Sequence, residues 1–340
     1  MKKILWIGTA TEIEPDIVHD AELHGIGIEV WNVDLKLTEP QRLSATTKTR
    51  DVPGGQRLIE LVKKATFDLA VFRFPYYLDE RIERFDLGPL RTRPICTWAS
   101  EQGPMLETAM RAASGFRHVA VNNRHEVNAW RARYPNAFVH DLPIGCTVRD
   151  APRLAAFDYV NNLVADGKAH YECTKCSGDW KKRSVEALVL PLIADKTRLS
   201  LYGPDEGLHG WFAVPGAGDY YKGQYAPTAY PDVYGRHKIY LGISWNWGLG
   251  GYGVKLARAL ATGIPVLWHR TAGMQKDGLI AGKHLSTSAS AEETRRRVHD
   301  LLIDADRRAE MGAEGQRFAL TNWRWTPNLL RLLEEVNRDR

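Results

Sequence analysis

At 340 residues the chain is long for one domain and comfortable for two, and its 44% apolar and 26% charged residues describe a globular protein that needs no staples to bury its cores. A net charge of +5 suits an anionic ligand and tolerates nucleic acid without demanding either, and no run of about 18 apolar residues exists to span a membrane. Of the four cysteines, Cys96, Cys146, Cys173 and Cys176, three end or follow apolar runs as buried thiols do, and a reducing, cytoplasmic setting is expected.

The amino-terminal stretch MKKILWIGTATE has an apolar run that breaks at Thr9 and is followed by Glu12 and Glu14. It reads as a first buried strand (2–8) and not as a targeting segment. A helix over 12–24, a strand at 26–34, an amphipathic helix at 55–65 and a strand at 67–74 follow. Next come a strand at 94–100, a helix at 104–113, a strand at 118–123, a helix at 124–133 and a closing strand at 136–143. Strands alternating with helices imply a parallel, doubly wound sheet, with ligands at the strand-end loops of one rim. The second half repeats the scheme. Strand and loop over 170–178 lead to a helix at 181–194 and a strand at 198–203. A strand at 238–244, a helix at 252–262 and strands at 264–269 and 283–288 follow. Helices at 291–304, 305–321 and 326–338 complete the chain. Segments 35–55 and 204–235 exceed ordinary connection length, so they are either functional or mobile.

The most informative stretch is SWNWGLGGYGVKLARALATGIPVLW (244–268). A strand enters a loop holding Gly248, Gly250, Gly251 and Gly253, a helix begins near Tyr252, and Thr262-Gly263-Ile264-Pro265 ends it. Glycines let backbone amides approach a phosphate, and a helix N-terminus adds unpaired N–H groups and a favourable dipole. Such a turn points to a diphosphate site, although tight glycine turns also occur without ligands.

Here the chain resembles the group-1 glycosyltransferases and their spore-maturation CgeB-like branch. GYGVKLARALATGIPVL carries the resemblance, with a second match in VNNRHEVNAWRARYPNAFVHDLPIGC (121–146), which ends in a Leu142-Pro143-x-Gly145 turn. The resemblance implies two Rossmann-like domains facing a central cleft, the GT-B arrangement. An acceptor domain would span 1–150 and a nucleotide-sugar domain 151–320, with a helix at 321–340 packing back on the first domain. It further implies transfer of a sugar, a hexose from a UDP-sugar being favoured, onto an acceptor hydroxyl. The acceptor is either a saccharide or protein, or a hydroxymethylated base in phage DNA, which would have to be flipped into a pocket. Two glutamates that often flank the family's glycine turn fall here on Gly250 and Arg258. This departure leaves the donor and the stereochemical course open. It also keeps alive a non-catalytic nucleotide-sugar or nucleic-acid binding module, and an epimerase of the same fold.

The donor site is expected to draw on Gly250, Gly251, Tyr252 and Gly253, and on Lys255 and Arg258, three positions apart on one helix face. The bland alternative for the last two is a solvated face. In SGDWKKRS (177–184), the cations Lys181, Lys182 and Arg183 open a helix where the resembling family meets the diphosphate. Lys182 and Arg183 are favoured, and departure of a nucleoside diphosphate requires such charge. Tyr202, in a Tyr-Gly-Pro corner, is placed where the family seats the base, and equally serves strand packing. For acceptor chemistry Glu101 is the leading candidate general base and Glu12 the second, each also readable as a helix-terminal charge. Arg73 and Asn123 are weaker candidates to line the acceptor side. No resident cofactor or metal is expected, the nucleotide sugar being a co-substrate. His170, Cys173 and Cys176 lack a fourth ligand for zinc, and Arg295–Arg297 read as a solvated helix face.

Overall fold

The computed structural model describes residues 1–8, 13–34, 36–73, 87–99, 115–149, 161–166, 169, 171, 179–203, 210–243, 252–271 and 273–339. The chain divides into two compact units, Met1–Gly145 with Arg324–Arg340, and Cys146–Trp323.

The first unit runs β1 (Lys3–Gly8), α1 (Glu14–Leu23), β2 (Gly27–Asp34), β3 (Thr49–Pro53), α2 (Gly55–Lys64) and β4 (Leu69–Arg73). It continues through β5 (Ile95–Ala99), β6 (His118–Val121), α3 (Val127–Arg133) and β7 (Phe138–Asp141). The strands form a seven-stranded sheet in the order β3-β2-β1-β4-β5-β6-β7, and every pairing is parallel. Ile4, Leu5, Trp6 and Ile7 of β1 are all buried. This is what a central parallel strand covered on both faces requires. β3 was not expected. Its sequence TRDVP carries two charges and a proline, so it lacks an apolar signature, and it pairs only at the sheet edge, where a proline costs no ladder bond. The expected helix at 104–113 lies outside the described residues.

A helix at Trp325–Arg338 belongs to this unit. Its Trp325 packs against Trp6 and Trp98 with ring centroids 5.7 and 5.6 Å away. Gly145 lies against the same indole; a Cβ there would sit 2.4 Å from Trp325 Cδ2. Asp20 of α1 is fully buried. It accepts a bond from the Thr326 backbone N–H at 2.8 Å and pairs with Arg324 at 2.8 Å. A carboxylate on one helix thus satisfies an orphan donor at the N-terminus of another.

The second unit runs β8 (Asn161–Asp166), α4 (Asp179–Leu188), α5 (Leu190–Ala194), β9 (Leu199–Tyr202), α6 (Tyr230–Gly235) and β10 (His237–Gly242). It continues with α7 (Val254–Ala261), β11 (Val266–His269), α8 (Gly273–Lys276), β12 (Ser286–Ser288), α9 (Ala291–Ile303) and α10 (Ala305–Asn322). Its five parallel strands take the order β12-β11-β10-β8-β9. The expected single helix over 181–194 is two helices. Pro191 has no N–H to continue the ladder, and the chain re-nucleates at Leu190. α7 ends as its sequence implies: Gly263, at φ +76°, follows the last turn, and its N–H reaches Leu260 O at 2.9 Å. α10 packs so tightly on that turn that a Cβ on Gly312 would lie 2.1 Å from Gly263 O. Among the described residues no helix is long and apolar enough to cross a membrane.

Candidate donor site

From β8 the chain of the second unit moves outward to β9 and then returns to the other side of β8 as β10. The order reverses between β8 and β10, and in open parallel sheets ligands bind at the carboxyl ends of the strands beside such a switch point. Asp166 ends β8 there, and Lys255 lies in the first turn of the helix that follows β10.

Their side chains meet: Lys255 Nζ lies 3.0 Å from Asp166 Oδ2. Asp166 is buried, and its carboxylate is surrounded by hydroxyls. Tyr240 Oη donates to Oδ1 at 2.5 Å, Tyr234 Oη to Oδ2 at 3.0 Å, and Tyr225 Oη also donates to Oδ2. Burial alone pushes this carboxyl up, but the Lys255 charge and the hydroxyls of Tyr225 and Tyr240 outweigh it and hold it below the usual carboxylate range. Burial, and then the Asp166 charge, push all three tyrosines well above the ordinary phenol value, so they remain donors. Two of the three come from the long segment 204–235, which explains its length: Tyr225 and Tyr234 close over the strand ends and complete the cage.

Gly253 is the N-cap of the helix that carries Lys255; among the described residues no side chain caps it, and a Cβ added at Gly253 would meet nothing within 4 Å. An ammonium anchored by one of its three N–H groups, beside an uncapped helix N-terminus, is a charge arrangement for phosphate oxygens. Lys255 remains 28% exposed along its side chain.

The other expected donor residues fall as follows. Tyr252 is buried, stacks on Trp323 at 4.8 Å between centroids and donates to Asp277 Oδ2 at 3.0 Å. It braces the helix entry. Arg258 is only 3% exposed, with its guanidinium 4.8 Å from the Tyr230 ring centroid. This corrects the alternative of a solvated face for Arg258: three residues along a helix turn the side chain about 60° away from Lys255, here into the packed side of α7. Lys181 is buried, whereas Lys182 and Arg183 are exposed, and Lys182 lies over the Tyr171 ring at 5.5 Å. Burial lowers the pKa of His269, which ends β11, and the charges of Arg270 and Arg183 lower it further. His269 Nδ1 is buried without a hydrogen-bond partner among the described residues. Tyr202 ends β9 half-buried, edge-on to Tyr225 at 5.5 Å and to His237 at 6.3 Å. Gly250 and Gly251 lie outside the described residues.

In the first unit Glu101 and Glu12 lie outside the described residues, as do His170, Cys173 and Cys176 in the second. Arg73 pairs with buried Glu14 at 2.8 Å and lies 5.9 Å from the Trp98 ring centroid. Asn123 is fully buried, and its Nδ2 donates to Asn122 Oδ1 and Glu126 Oε1 at 3.2 and 3.1 Å. Both side chains hold partners within the first unit. Sequence reading missed Asp166, Tyr225, Tyr234 and Tyr240, which stand 59, 68 and 74 positions from Asp166 and form no motif.

Residues 182–334 match the model of a glycosyl transferase-like family. A curated relative, the GDP-mannose-dependent alpha-(1-6)-phosphatidylinositol monomannoside mannosyltransferase of Mycolicibacterium smegmatis, is 37% identical over 87 residues, covering 25% of this chain. The match covers 22% of that relative's length. Among solved structures, sucrose-phosphate synthase from Thermosynechococcus elongatus superposes with a TM-score of 0.66 at 13% identity, over 99% of both chains. Anabaena HepE in complex with UDP-glucose superposes with a TM-score of 0.62 at 14% identity, over 99% of this chain and 100% of that one. The chain therefore has the two-sheet α/β fold of the GT-B glycosyltransferases, and its residues 182–334 resemble the glycosyl transferase-like family in sequence as well.

Proposed function

We propose that this protein is a hexosyltransferase that takes a sugar from a nucleoside diphosphate donor, UDP-sugar being favoured, and moves it to an acceptor hydroxyl. The observation that carries the reading is the Lys255 ammonium, anchored on buried Asp166 in the first turn of α7, at the switch point of the second sheet. A cation and helix amides in that position stabilise the charge that develops as the diphosphate leaves, which is the main electrostatic demand of sugar transfer. Arg183 adds positive charge near His269 of β11. The relative named for GDP-mannose and the neighbour bound to UDP-glucose support a nucleoside diphosphate hexose as donor.

Glu101 and Glu12 remain the proposed acceptor-side acids, with a saccharide or protein hydroxyl as the first acceptor and a hydroxymethylated base in DNA as the second. Net charge of only +5 favours the first, because DNA retention rests on many phosphate contacts. The absence of acids at Gly250 and Arg258 favours one rival, a binder without turnover. Incubating the protein with UDP-glucose and assaying free UDP separates the two. Slow donor hydrolysis supports a transferase, whereas donor binding with no UDP release supports the binder.

A further inference from the structure

In the first unit, His118 on β6 and His140 on β7 occupy adjacent parallel strands near the sheet edge, two register positions apart. Both are buried, and His118 Nδ1 lies 3.2 Å from His140 Nε2. Asp339, at the C-cap of the Trp325–Arg338 helix, brings a carboxylate to the same place, and the three ligand atoms all lie within 4.8 Å of one another. On the far side of His140, Glu335 Oε2 lies 3.0 Å from Nδ1. Glu335 is itself held by Arg331 at 3.2 Å.

We propose that His118, His140 and Asp339 form a zinc site that ties the Trp325–Arg338 helix to the edge of the first sheet, with Glu335 as the positioning residue behind His140. The chemistry fixes the tautomers. With Glu335 Oε2 at 3.0 Å as acceptor, His140 Nδ1 carries the proton and its Nε2 presents a lone pair. Two nitrogens each about 2.1 Å from one tetrahedral zinc stand roughly 3.4 Å apart, close to the observed 3.2 Å. Asp339 is half-buried on the last turn and closes the remaining distance by rotating its side chain. Binding moves the His118 proton from Nδ1 to Nε2 and leaves a fourth position for water. A carboxylate behind a metal-bound imidazole orients the ring and raises its basicity. Two imidazoles and one carboxylate select zinc over magnesium, which prefers oxygen alone. A recess of about 760 Å³, lined by His140, Glu335 and Asp339 among others, gives the ion a path from solvent. Exposed Arg338, 3.6 Å from Asp339, competes for that carboxylate and would have to release it.

The test is isothermal titration of the full chain with zinc chloride, paired with the visible spectrum of the cobalt-loaded protein. One zinc per chain is expected, with no heat from magnesium. Affinity should fall at least about tenfold in His118→Asn, His140→Gln and Asp339→Ala, and by about 10–100-fold in Glu335→Gln. His299→Ala, at an exposed histidine, should bind as the parent does. Because Asp339 lies at a helix end, Asp339→Ala tests the site even if the buried histidine variants fail to fold. Cobalt should give tetrahedral visible bands that Asp339→Ala and Glu335→Gln alter. Absence of zinc binding overturns the proposal. Binding that is unchanged in Asp339→Ala, or weakened equally in His299→Ala, also overturns it.

Discussion

Replacing Asp166 by asparagine removes one charge from the cage and leaves its shape nearly intact. In the parent, the carboxylate accepts from Lys255, Tyr234 and Tyr240 at 2.5–3.0 Å, and from Tyr225. Breaking a fully buried ion pair costs about 3–5 kcal/mol. Lys255 is 28% exposed, so its stranded charge can hydrate, and the cost falls to the lower end of that range. Each tyrosine exchanges a charged acceptor for a neutral one, a loss of up to about 1 kcal/mol. Together these come to about 3–6 kcal/mol, which lowers the melting temperature of a domain this size by about 6–24 °C. Circular-dichroism melts at pH 7 measure this directly. The pH dependence gives an independent check. A carboxyl whose folded pKa is depressed stabilises the fold above its unfolded value, near 3.9, and that contribution disappears as pH falls through the folded value. The gap between parent and Asp166→Asn should therefore be full at pH 5 and close as pH falls below about 4. A variant that melts within about 2 °C of the parent at pH 7 would refute the reasoning.

Gly145→Ala should cost about 1–3 kcal/mol, since the new methyl would overlap Trp325, and a chemical denaturation midpoint reads it. Asp20→Ala should cost about 3 kcal/mol by stranding Arg324 and an N-terminal backbone donor, and should expose the Trp325–Arg338 helix to faster amide exchange. Burial lowers the pKa of His237, whose ring bridges Val233 O at 2.7 Å and Ser200 Oγ at 2.9 Å. The unfolded chain therefore takes up this proton first, and stability contributed by the neutral ring is lost as pH falls from 6.5 towards the folded value. Melts from pH 7.5 to 5.5 should fall in the parent and fall less in His237→Gln.

Strands buried on both faces were legible because their sequences are nearly continuous apolar runs: KILWIG, LAVFR and HKIYLG are examples. The α7 segment was legible through its local chemistry, a glycine at each end and an apolar stripe between. β8 was not: NNLVAD opens with two asparagines and ends in the acid that organises the site, so it carries no continuous apolar run. Lys255 could be singled out from its place after the glycine turn, but its anchor could not. Asp166 lies 89 positions away, and its tyrosines arise from a segment with no periodic pattern. The burial of Arg258 was not legible for a related reason, since sequence places it on the helix but not on the side that packs against Tyr230. His118 and His140 stand 22 positions apart on neighbouring strands, a juxtaposition that only parallel register creates.

The measurement that bears most directly on the donor site is a calorimetric titration of UDP, GDP, ADP and dTDP into the parent and into Lys255→Gln. Glutamine can still reach towards Asp166 but carries no charge. The account predicts that the parent binds one nucleotide diphosphate preferentially, UDP first, and that Lys255→Gln weakens it by about 10–100-fold, the value of a charge-assisted phosphate bond of about 1.5–3 kcal/mol. Equal affinity in the two proteins, or no binding of any of the four, would contradict it.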